Sequence, residues 1–412
     1  MMDRLLRSFL WGAVPVATLL LTLMPVLAPR AMVAVIAVWL ALLTLRVAID
    51  PVPVTRAHVR HFLFLVLPFL VMLLDNLRAP DLAEGWKYTE RGAALLLFPL
   101  GFLLLGAPST APFRRAMTDV FSAAAVALAL YANIGIAIGG VPSGTGGGFA
   151  YDYRAAFSAI TAIHPPYAAY FLLSAALFQL DHVLAGAWHR AWRIATIAGL
   201  FIAAALLASR MPLIAFIAAG LCIVALRLPR KKALAVAGAL VGGGALIALA
   251  LPGTGQRIVE SFGATKMPAT AYEVTSSNIR TVIAHCTREA IGEHWLLGTG
   301  QARAQATLDA CYRPFGIPLL LDGSYGTHDQ PLHWWLCFGI AGIGLFLVYF
   351  GALLRDAWRA RDTAHLAFLV LLLGCMLTEN VLARQWGTVL FACFNALFVA
   401  GRMEVGRTGQ RN

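Results

Sequence analysis

The sequence contains little charge. Only 13% of its 412 residues are Asp, Glu, Lys or Arg, whereas 60% are hydrophobic. About a quarter of the residues in a soluble globular domain are charged and about half are apolar, so this composition excludes that class. The apolar residues form runs that are long enough for membrane-spanning helices and too long for the strands of a membrane barrel. The composition therefore predicts an all-α polytopic membrane protein.

Acidic residues, nucleotide loops and metal-ligand patterns are scarce or missing. The apolar runs are not studded with Asp and Glu, as those of a proton-driven pump often are. The glycine-rich stretch SGTGGG at 143–148 lacks the Gly-Lys-Ser/Thr ending of a phosphate loop. No cysteines or histidines have the spacing of a zinc site, and His328 and His333 are five residues apart rather than four. We therefore expect no metal and no cofactor.

Twelve apolar segments have about the length of a membrane span, and residues 8–28 are too long for the apolar part of a cleavable signal. The spans cover residues 8–28, 31–50, 61–77, 92–107, 116–140, 165–181, 191–208, 211–228, 233–251, 333–353, 363–381 and 386–401. Three parts follow from this order: residues 1–251 with the first nine spans, residues 252–332 as one large loop with short helices, and residues 333–412 with the last three spans and a tail.

Basic residues collect in alternate loops, as the positive-inside rule requires. The loops assigned to the cytoplasm include those that carry Arg114, Arg193, Arg227 and Arg402. An even number of spans then places both termini in the cytoplasm and the loop 252–332 outside, in the periplasm of a Gram-negative cell. The net charge of +12 is thus assigned to membrane topology, and nucleic acid is not an expected partner.

Two of the six cysteines, Cys286 and Cys311, fall in the loop 252–332. An oxidising compartment outside the cytoplasm favours a disulfide there. The spacing alone does not show whether the two thiols meet, so a bonded pair and two free thiols both remain open.

Arginines also remain on the predicted outer side, where the topology rule does not require them. Some are solvated loop charges, but as a set they suit an anionic ligand at the membrane surface. The weaker candidates for binding such a ligand are Arg30, Arg78, Arg303, Arg313 and Arg384.

Two stronger arginine candidates begin helices on that side. Arg210, in SRMPLIAF at 209–216, lies where two spans turn back on each other, and it is either an interfacial charge or an anion clamp. Arg280 lies in the first turn of a predicted helix, where the helix dipole disfavours a cation, so a bound anion would account for it. The same helix has an apolar stripe at helical spacing, formed by Ile279, Val282, Ile283, Cys286 and Ala290.

The third stretch, GTHDQPLHWW at 326–335, places a polar run directly before an apolar span. Pro331 suits the first turn of the helix that follows. His328 is then expected at the outer membrane surface, where an imidazole can take a proton near neutral pH. An ordinary loop histidine is the alternative.

The three stretches, in this order and topology, resemble the O-antigen ligase/polymerase superfamily of bacterial envelope glycosyltransferases. The resemblance rests on Ser209–Arg210, on Arg280 followed by EHWLLGTG at 293–300, and on His328 followed by Leu332, Gly339 and Gly342. A fourth element, TENVLARQWG at 378–387, resembles the ligase branch. Asp329 departs from the neutral residue that usually follows the histidine. The resemblance covers roughly residues 150–400.

The resemblance implies a GT-C-type, inverting, metal-independent glycosyltransferase of the bacterial inner membrane, surrounded by membrane lipids. The donor would be a polysaccharide on undecaprenyl pyrophosphate, and the acceptor a sugar hydroxyl of lipid A–core oligosaccharide. His328 would be the general base, and Arg210 and Arg280 would bind the pyrophosphate. An O-antigen polymerase and a protein O-oligosaccharyltransferase are the alternatives within the superfamily. A transporter of lipid-linked sugars is an alternative of a different class, and it needs no base at residue 328.

Overall fold

The computed structural model describes residues 2–140, 149–250 and 276–408. The glycine-rich stretch 143–148, residues 252–275 of the predicted loop and the last four residues of the chain lie outside the described part. Helix accounts for 84% of the structure, and the described residues include no strand. The prediction of an all-α polytopic membrane protein is confirmed.

The helices are numbered in chain order over the described residues. They are α1 (Met2–Leu20), α2 (Pro29–Ile49), α3 (Arg56–Asp75), α4 (Leu82–Gly92), α5 (Ala94–Pro99), α6 (Ala111–Gly139), α7 (Phe149–Thr161), α8 (Pro165–Leu184), α9 (Arg190–Leu206), α10 (Arg210–Arg227), α11 (Arg230–Ala250), α12 (Ser276–His294), α13 (Gln301–Tyr312), α14 (Pro318–Asp322), α15 (Gln330–Arg359), α16 (Thr363–Met376) and α17 (Gln385–Thr408). Short 3₁₀ turns at Asn76–Arg78 and Val381–Ala383 follow α3 and α16.

Each of the twelve predicted spans overlaps one of these helices, but their number as membrane spans is not confirmed. Seven helices in the described part are long and apolar enough to cross a membrane, and three other apolar helices are shorter. Outside both the predicted spans and the predicted loop 252–332, the described part has two further helices, α4 and α7, of which α4 shares only Gly92 with a span. With 11 and 13 residues, both are too short to cross a bilayer and too polar to appear as apolar runs.

The core surrounds α8, in which every residue from Pro165 to His182 is buried. Helices α6, α9, α10 and α16 pack against it. Phenylalanines interlock where α6, α8 and α17 meet, with ring centroids 4.9 Å apart for both Phe121–Phe394 and Phe178–Phe394. Outer helices such as α2 expose apolar side chains, including Val33 and Val38, as helices that face lipid do.

A network of ion pairs lies at the end of the bundle where α15 finishes. Asp181 binds Arg227 at 3.0 Å. Asp362, which caps α16, accepts hydrogen bonds from Arg114 at 3.2 Å and from Arg402 at 3.4 Å. The sequence assigned all three arginines to the cytoplasmic side, and the structure gathers them at one end.

The membrane helix α15 is broken at Gly339, and the segment 296–300 packs against the break. Gly339 has φ 66° and ψ −154°, a backbone conformation that residues other than glycine rarely adopt. Thr299 N donates to Leu336 O at 2.8 Å, and Gly300 N donates to Cys337 O at 2.9 Å. These bonds satisfy backbone groups that the broken helix leaves open, which is the condition for irregular backbone at membrane depth.

Two glycines allow this close approach. A Cβ atom on Gly339 would overlap the carbonyl of Leu296, and one on Gly298 would overlap the backbone of Cys337. The segment is held from the other side by Arg78, which donates to Leu297 O and Gly298 O at 2.8 Å each. Gly298 of EHWLLGTG and Gly339, the first glycine after His328, therefore form one joint between the segment 296–300 and the membrane helix.

Helix α12 carries the apolar stripe expected from the sequence. Its five members are buried: Ile279, Val282, Ile283, Cys286 and Ala290. A disulfide joins Cys286 to Cys311 of α13, so the structure contains the bonded form of the pair. The bond links the two helices that frame the segment 296–300.

Candidate functional site

His328 lies in a tight turn immediately before α15. Its backbone has φ 49°, in the left-handed region that few residues other than glycine adopt. The next residue, Asp329, begins α15 by accepting a hydrogen bond from Leu332 N at 2.8 Å. The side chain of His328 is 24% exposed, so the imidazole stands at the surface of the bundle while its backbone is fixed by the helix start.

The loop between α16 and α17 crosses this turn and contacts the residues from Thr327 to Gln330. Glu379 Oε2 lies 3.2 Å from His328 Nδ1. Asn380 Oδ1 accepts a hydrogen bond from Asp329 N at 3.0 Å. Leu382 N donates to Gln330 Oε1 at 2.7 Å. Residues far apart in the chain thus form one compact site at the end of the bundle where α15 begins.

Glu379 joins two of the residues that the sequence singled out. Its Oε1 lies 4.0 Å from Arg280 Nη2, while its Oε2 contacts His328. Burial alone would raise the pKa of Glu379, but the hydrogen bond and charge of His328, with the charges of Arg280 and His164, bring its pKa below the ordinary value. The carboxylate therefore keeps its negative charge between Arg280 and His328.

The contact with Glu379 also sets the tautomer of His328. A carboxylate can only accept, so the neutral imidazole carries its proton on Nδ1 and leaves a lone pair on Nε2. Among the described residues, no partner contacts Nε2 of this imidazole. A neutral imidazole with one nitrogen anchored and the other open has the arrangement of a general base.

Arg280 and Arg210 approach this site from different helices. Arg280 extends from α12 and is 54% exposed. Arg210 is the first residue of α10, which packs antiparallel to α16, with Ala215 against Gly374. Because Gly374 is near the end of α16, Arg210 lies at the same end of the bundle as Glu379.

A second group of charges surrounds the pair formed by Glu379 and His328. Arg154 of α7 donates to Leu207 O at 2.6 Å and to Ser209 Oγ at 3.3 Å, so it braces the turn before Arg210. His164, which precedes α8, interacts electrostatically with Glu379, His328, Arg154 and Arg384. The site is therefore rich in positive charge around one carboxylate.

The five weaker arginine candidates lie in different places. Arg384 lies near His164, and Arg30 is exposed beside Pro29, whose carbonyl is 3.5 Å from the side-chain amide of Gln385. The guanidinium of Arg78 donates hydrogen bonds to Asp75 and to the carbonyls of Leu297 and Gly298. Arg303 and Arg313 are exposed on α13 and on the turn after it, and neither takes part in the contacts that join His328, Glu379 and Arg280.

Sequence reasoning missed the part that Glu379, Asn380 and Arg154 take in this site. Glu379 belongs to the element 378–387 that carried the resemblance, but its neighbours in the sequence do not mark it as a partner of His328. Asp329, which departs from the family pattern, caps α15. The carboxylate that contacts His328 is that of Glu379. Burial raises the pKa of Asp329, and the bond from Leu332 partly offsets this.

Residues 195–347 match the family model described as O-antigen ligase. The match supports the O-antigen ligase superfamily for this chain. The matched segment contains Arg210, Arg280 and His328, whereas Glu379 and Asn380 lie beyond its end. Members of the superfamily are glycosyltransferase-like enzymes that act on lipid-linked glycans and lipid acceptors. No curated protein matches the sequence.

Proposed function

We propose that this protein is an O-antigen ligase. It transfers a polysaccharide from undecaprenyl pyrophosphate to a sugar hydroxyl of lipid A–core oligosaccharide, at the periplasmic face of the inner membrane. The observation that carries the proposal is the chain of contacts from His328 through Glu379 to Arg280, at the mouth of a broken membrane helix. It brings together a base and a cation in a segment that matches the superfamily.

The reaction requires a base because a sugar hydroxyl is a poor nucleophile until it loses its proton. In the proposed step, His328 Nε2 removes the proton as the hydroxyl oxygen attacks the anomeric carbon of the donor sugar. The bond from that carbon to the pyrophosphate oxygen breaks, and undecaprenyl pyrophosphate leaves with the bonding electrons. A single displacement of this kind inverts the configuration at the anomeric carbon.

The arginines balance the charge that develops on the leaving pyrophosphate. Arg280 is half exposed beside the base, and Arg210 begins α10 at the same end of the bundle. A guanidinium offers two parallel donors to phosphate oxygens, and each such contact contributes about 2–4 kcal/mol in comparable enzymes. The proposed reaction therefore needs no divalent cation to stabilise its leaving group.

Glu379 supports the assignment of His328 as the base. Its carboxylate fixes Nδ1–H and favours the imidazolium that forms when Nε2 takes the proton, as the carboxylate of a catalytic triad does. A loop histidine with no role in catalysis would not require a partly buried carboxylate from a segment 51 residues further along the chain.

The alternatives differ in what accepts the glycan. A polymerase would join it to a second lipid-linked chain, a protein O-oligosaccharyltransferase would attach it to a protein, and a transporter would move it unchanged across the membrane. The element TENVLARQWG at 378–387 favours a ligase, and it supplies Glu379 and Asn380 to the site.

Purified protein in detergent or liposomes, given an undecaprenyl-pyrophosphate-linked glycan, distinguishes these functions. Lipid A–core, a second lipid-linked glycan and a pilin acceptor protein are offered in separate reactions. We expect glycan on lipid A–core alone. Elongated lipid-linked chains would support the polymerase, glycosylated pilin the oligosaccharyltransferase, and movement across liposomes without covalent product the transporter.

A further inference from the structure

The left-handed backbone of His328 is the feature that needs an explanation. A residue with a side chain adopts φ near 49° at a cost in free energy, and it stays there only when its surroundings hold it. Within the turn, the hydroxyl of Thr327 contacts Asp329 on the other side of His328, with Thr327 Oγ1 2.9 Å from Asp329 O and 3.4 Å from Asp329 N. A residue from outside the turn adds to these contacts.

Asn380 contacts the chain on both sides of His328. Its Oδ1 accepts a hydrogen bond from the backbone N–H of Asp329 at 3.0 Å and one from Thr327 Oγ1 at 2.9 Å. One amide oxygen thus brackets the histidine, and both bonds depend on the turn that His328 makes. Gly326 leaves space for this amide, because a Cβ there would lie 2.8 Å from Asn380 Nδ2.

Asn380 is itself held firmly. Its carbonyl oxygen accepts a hydrogen bond from Ala383 N at 3.0 Å within the 3₁₀ turn, and one from Tyr167 Oη at 3.4 Å. Tyr167 is buried in α8, the central helix of the bundle. Asn380 therefore links the turn at His328 to the central helix α8 by hydrogen bonds.

We propose that Asn380 is a positioning residue that fixes the backbone of His328 so that the imidazole meets Glu379 and directs Nε2 outward. Glu379 then fixes the imidazole of His328 through Nδ1, and its neighbour Asn380 fixes the backbone on either side of His328. This inference rests on the proposed role of His328 as the general base. It assigns Asn380 no contact with either substrate.

Single-turnover transfer from an undecaprenyl-pyrophosphate-linked glycan to lipid A–core tests the proposal. We expect Asn380→Ala to lower the rate by about 10- to 100-fold, since a misplaced catalytic group costs about that much. Binding of undecaprenyl pyrophosphate should stay unchanged. Asn380→Asp, which keeps an accepting oxygen, should retain more activity than the Ala variant. Thr327→Val removes the hydroxyl's bond to Asn380 and its contacts with Asp329, but it keeps the bond from Asp329 N to Asn380 and should have a smaller effect.

A double-mutant cycle separates positioning from general structural damage. If Asn380 acts through His328, adding Asn380→Ala to His328→Ala should cost no further activity. Thr378→Val, in the same loop but without contact to the turn, is the matched control and should behave as the wild type. Thermal unfolding of each variant reports whether it is folded, and Thr327→Val and Asn380→Asp carry the test if Asn380→Ala does not fold.

Two results would overturn the inference. Normal turnover of folded Asn380→Ala, alongside an inactive His328→Ala, would remove Asn380 from the mechanism and leave the proposed function intact. Fully additive losses in the double variant would show that Asn380 acts independently of His328. Near-normal turnover of His328→Ala would instead contradict the proposed base itself.

Discussion

At the scale of single residues, the site is a carboxylate set among positive charges. Glu379 contacts His328 and lies near Arg280, and its lowered pKa shows that these neighbours outweigh the effect of burial. A carboxyl with a lowered pKa stabilises the fold above its unfolded pKa, and that contribution is lost as the pH falls through the folded value. The contact to His328 should therefore persist under mildly acidic conditions.

Replacing Glu379 by Gln should change the pH profile of transfer as well as its rate. The amide keeps the size of the side chain but removes the negative charge that favours a protonated imidazole. We expect a lower maximal rate and an acid limb of kcat/KM that moves to lower pH. An acid limb at the wild-type position, measured across pH 5 to 8 where an imidazole titrates, would contradict a direct link between Glu379 and the base.

The two strong arginine candidates should each be required for transfer. We expect Arg210→Ala and Arg280→Ala to lose about 2–4 kcal/mol of transition-state stabilisation, or roughly 30- to 1000-fold in rate. Lys should restore only part of the activity, because it lacks the planar fork of two donors.

Arg288 provides the matched control for these variants. It is exposed on α12, the same helix as Arg280, and takes no part in the contacts of Glu379. Arg288→Ala should behave as the wild type. If both arginine variants at 210 and 280 transfer glycan normally, they are interfacial charges and the pyrophosphate is bound elsewhere.

At the scale of elements, the joint between the segment 296–300 and the broken helix α15 positions the site. Arg280 lies on α12, the helix that leads into the segment 296–300. His328 lies at the start of α15, the helix that is broken at Gly339. Gly298 and Gly339 let the two backbones meet, and the disulfide between Cys286 and Cys311 ties α12 to α13 on either side of the segment. A change in the joint should therefore alter stability and activity together.

Gly339→Ala and Gly298→Ala should both destabilise the protein. Each added methyl group would overlap backbone atoms at a position with positive φ, and we expect a loss of about 2–4 kcal/mol. Gly344→Ala, in the same helix with open space around its Cβ, is the control and should be neutral or slightly stabilising. Thermal unfolding in detergent measures the difference, and equal melting temperatures for all three variants would contradict the joint.

The elements that sequence reasoning predicted well are those with long apolar runs. Each predicted span overlaps a helix, and the stripe of α12 is buried as its helical spacing indicated. Helices α4 and α7 were missed because they are short and polar. The break in α15 was also missed, since Gly339 lies inside a run that is apolar from end to end.

The candidate site was predicted in part. His328 and Arg280 stand out from their own neighbours in sequence, as a polar residue before a span and a cation in a first turn. The structure joins them through Glu379, which lies 51 residues beyond His328. Such a contact depends on how α16 packs against α10 and α8, and a single sequence carries no local signal for that packing.

At the scale of the whole molecule, charge is distributed between the two ends of the bundle in different ways. Arginines at the end where α15 finishes are paired with Asp181 and Asp362. At the other end, Asp75 pairs with Arg78, and the half-exposed Arg280 lies beside Glu379 with Arg384 nearby. This asymmetry supports the proposal that the first end faces the cytoplasm and the second binds an anionic substrate outside it.

The disulfide offers a direct test of that orientation. If α12 and α13 lie in the periplasm, Cys286 and Cys311 should resist maleimide labelling in cells and become reactive after reduction. The variant Cys286→Ala should leave Cys311 reactive without reduction, which provides the control. Free thiols at both positions in wild-type cells would place this loop in a reducing compartment, and the site would then face away from a periplasmic donor.

The central claim is that His328 activates the acceptor hydroxyl while arginines replace a metal at the leaving pyrophosphate. The most direct measurement is single-turnover transfer by purified protein, from an undecaprenyl-pyrophosphate-linked glycan to lipid A–core, with EDTA present and no nucleotide. We expect transfer by the wild type and by His333→Ala, and a rate about 10²- to 10⁴-fold lower for His328→Ala with undecaprenyl pyrophosphate still bound. Near-normal transfer by His328→Ala, or wild-type transfer that stops with EDTA and returns with magnesium or manganese, would contradict the mechanism.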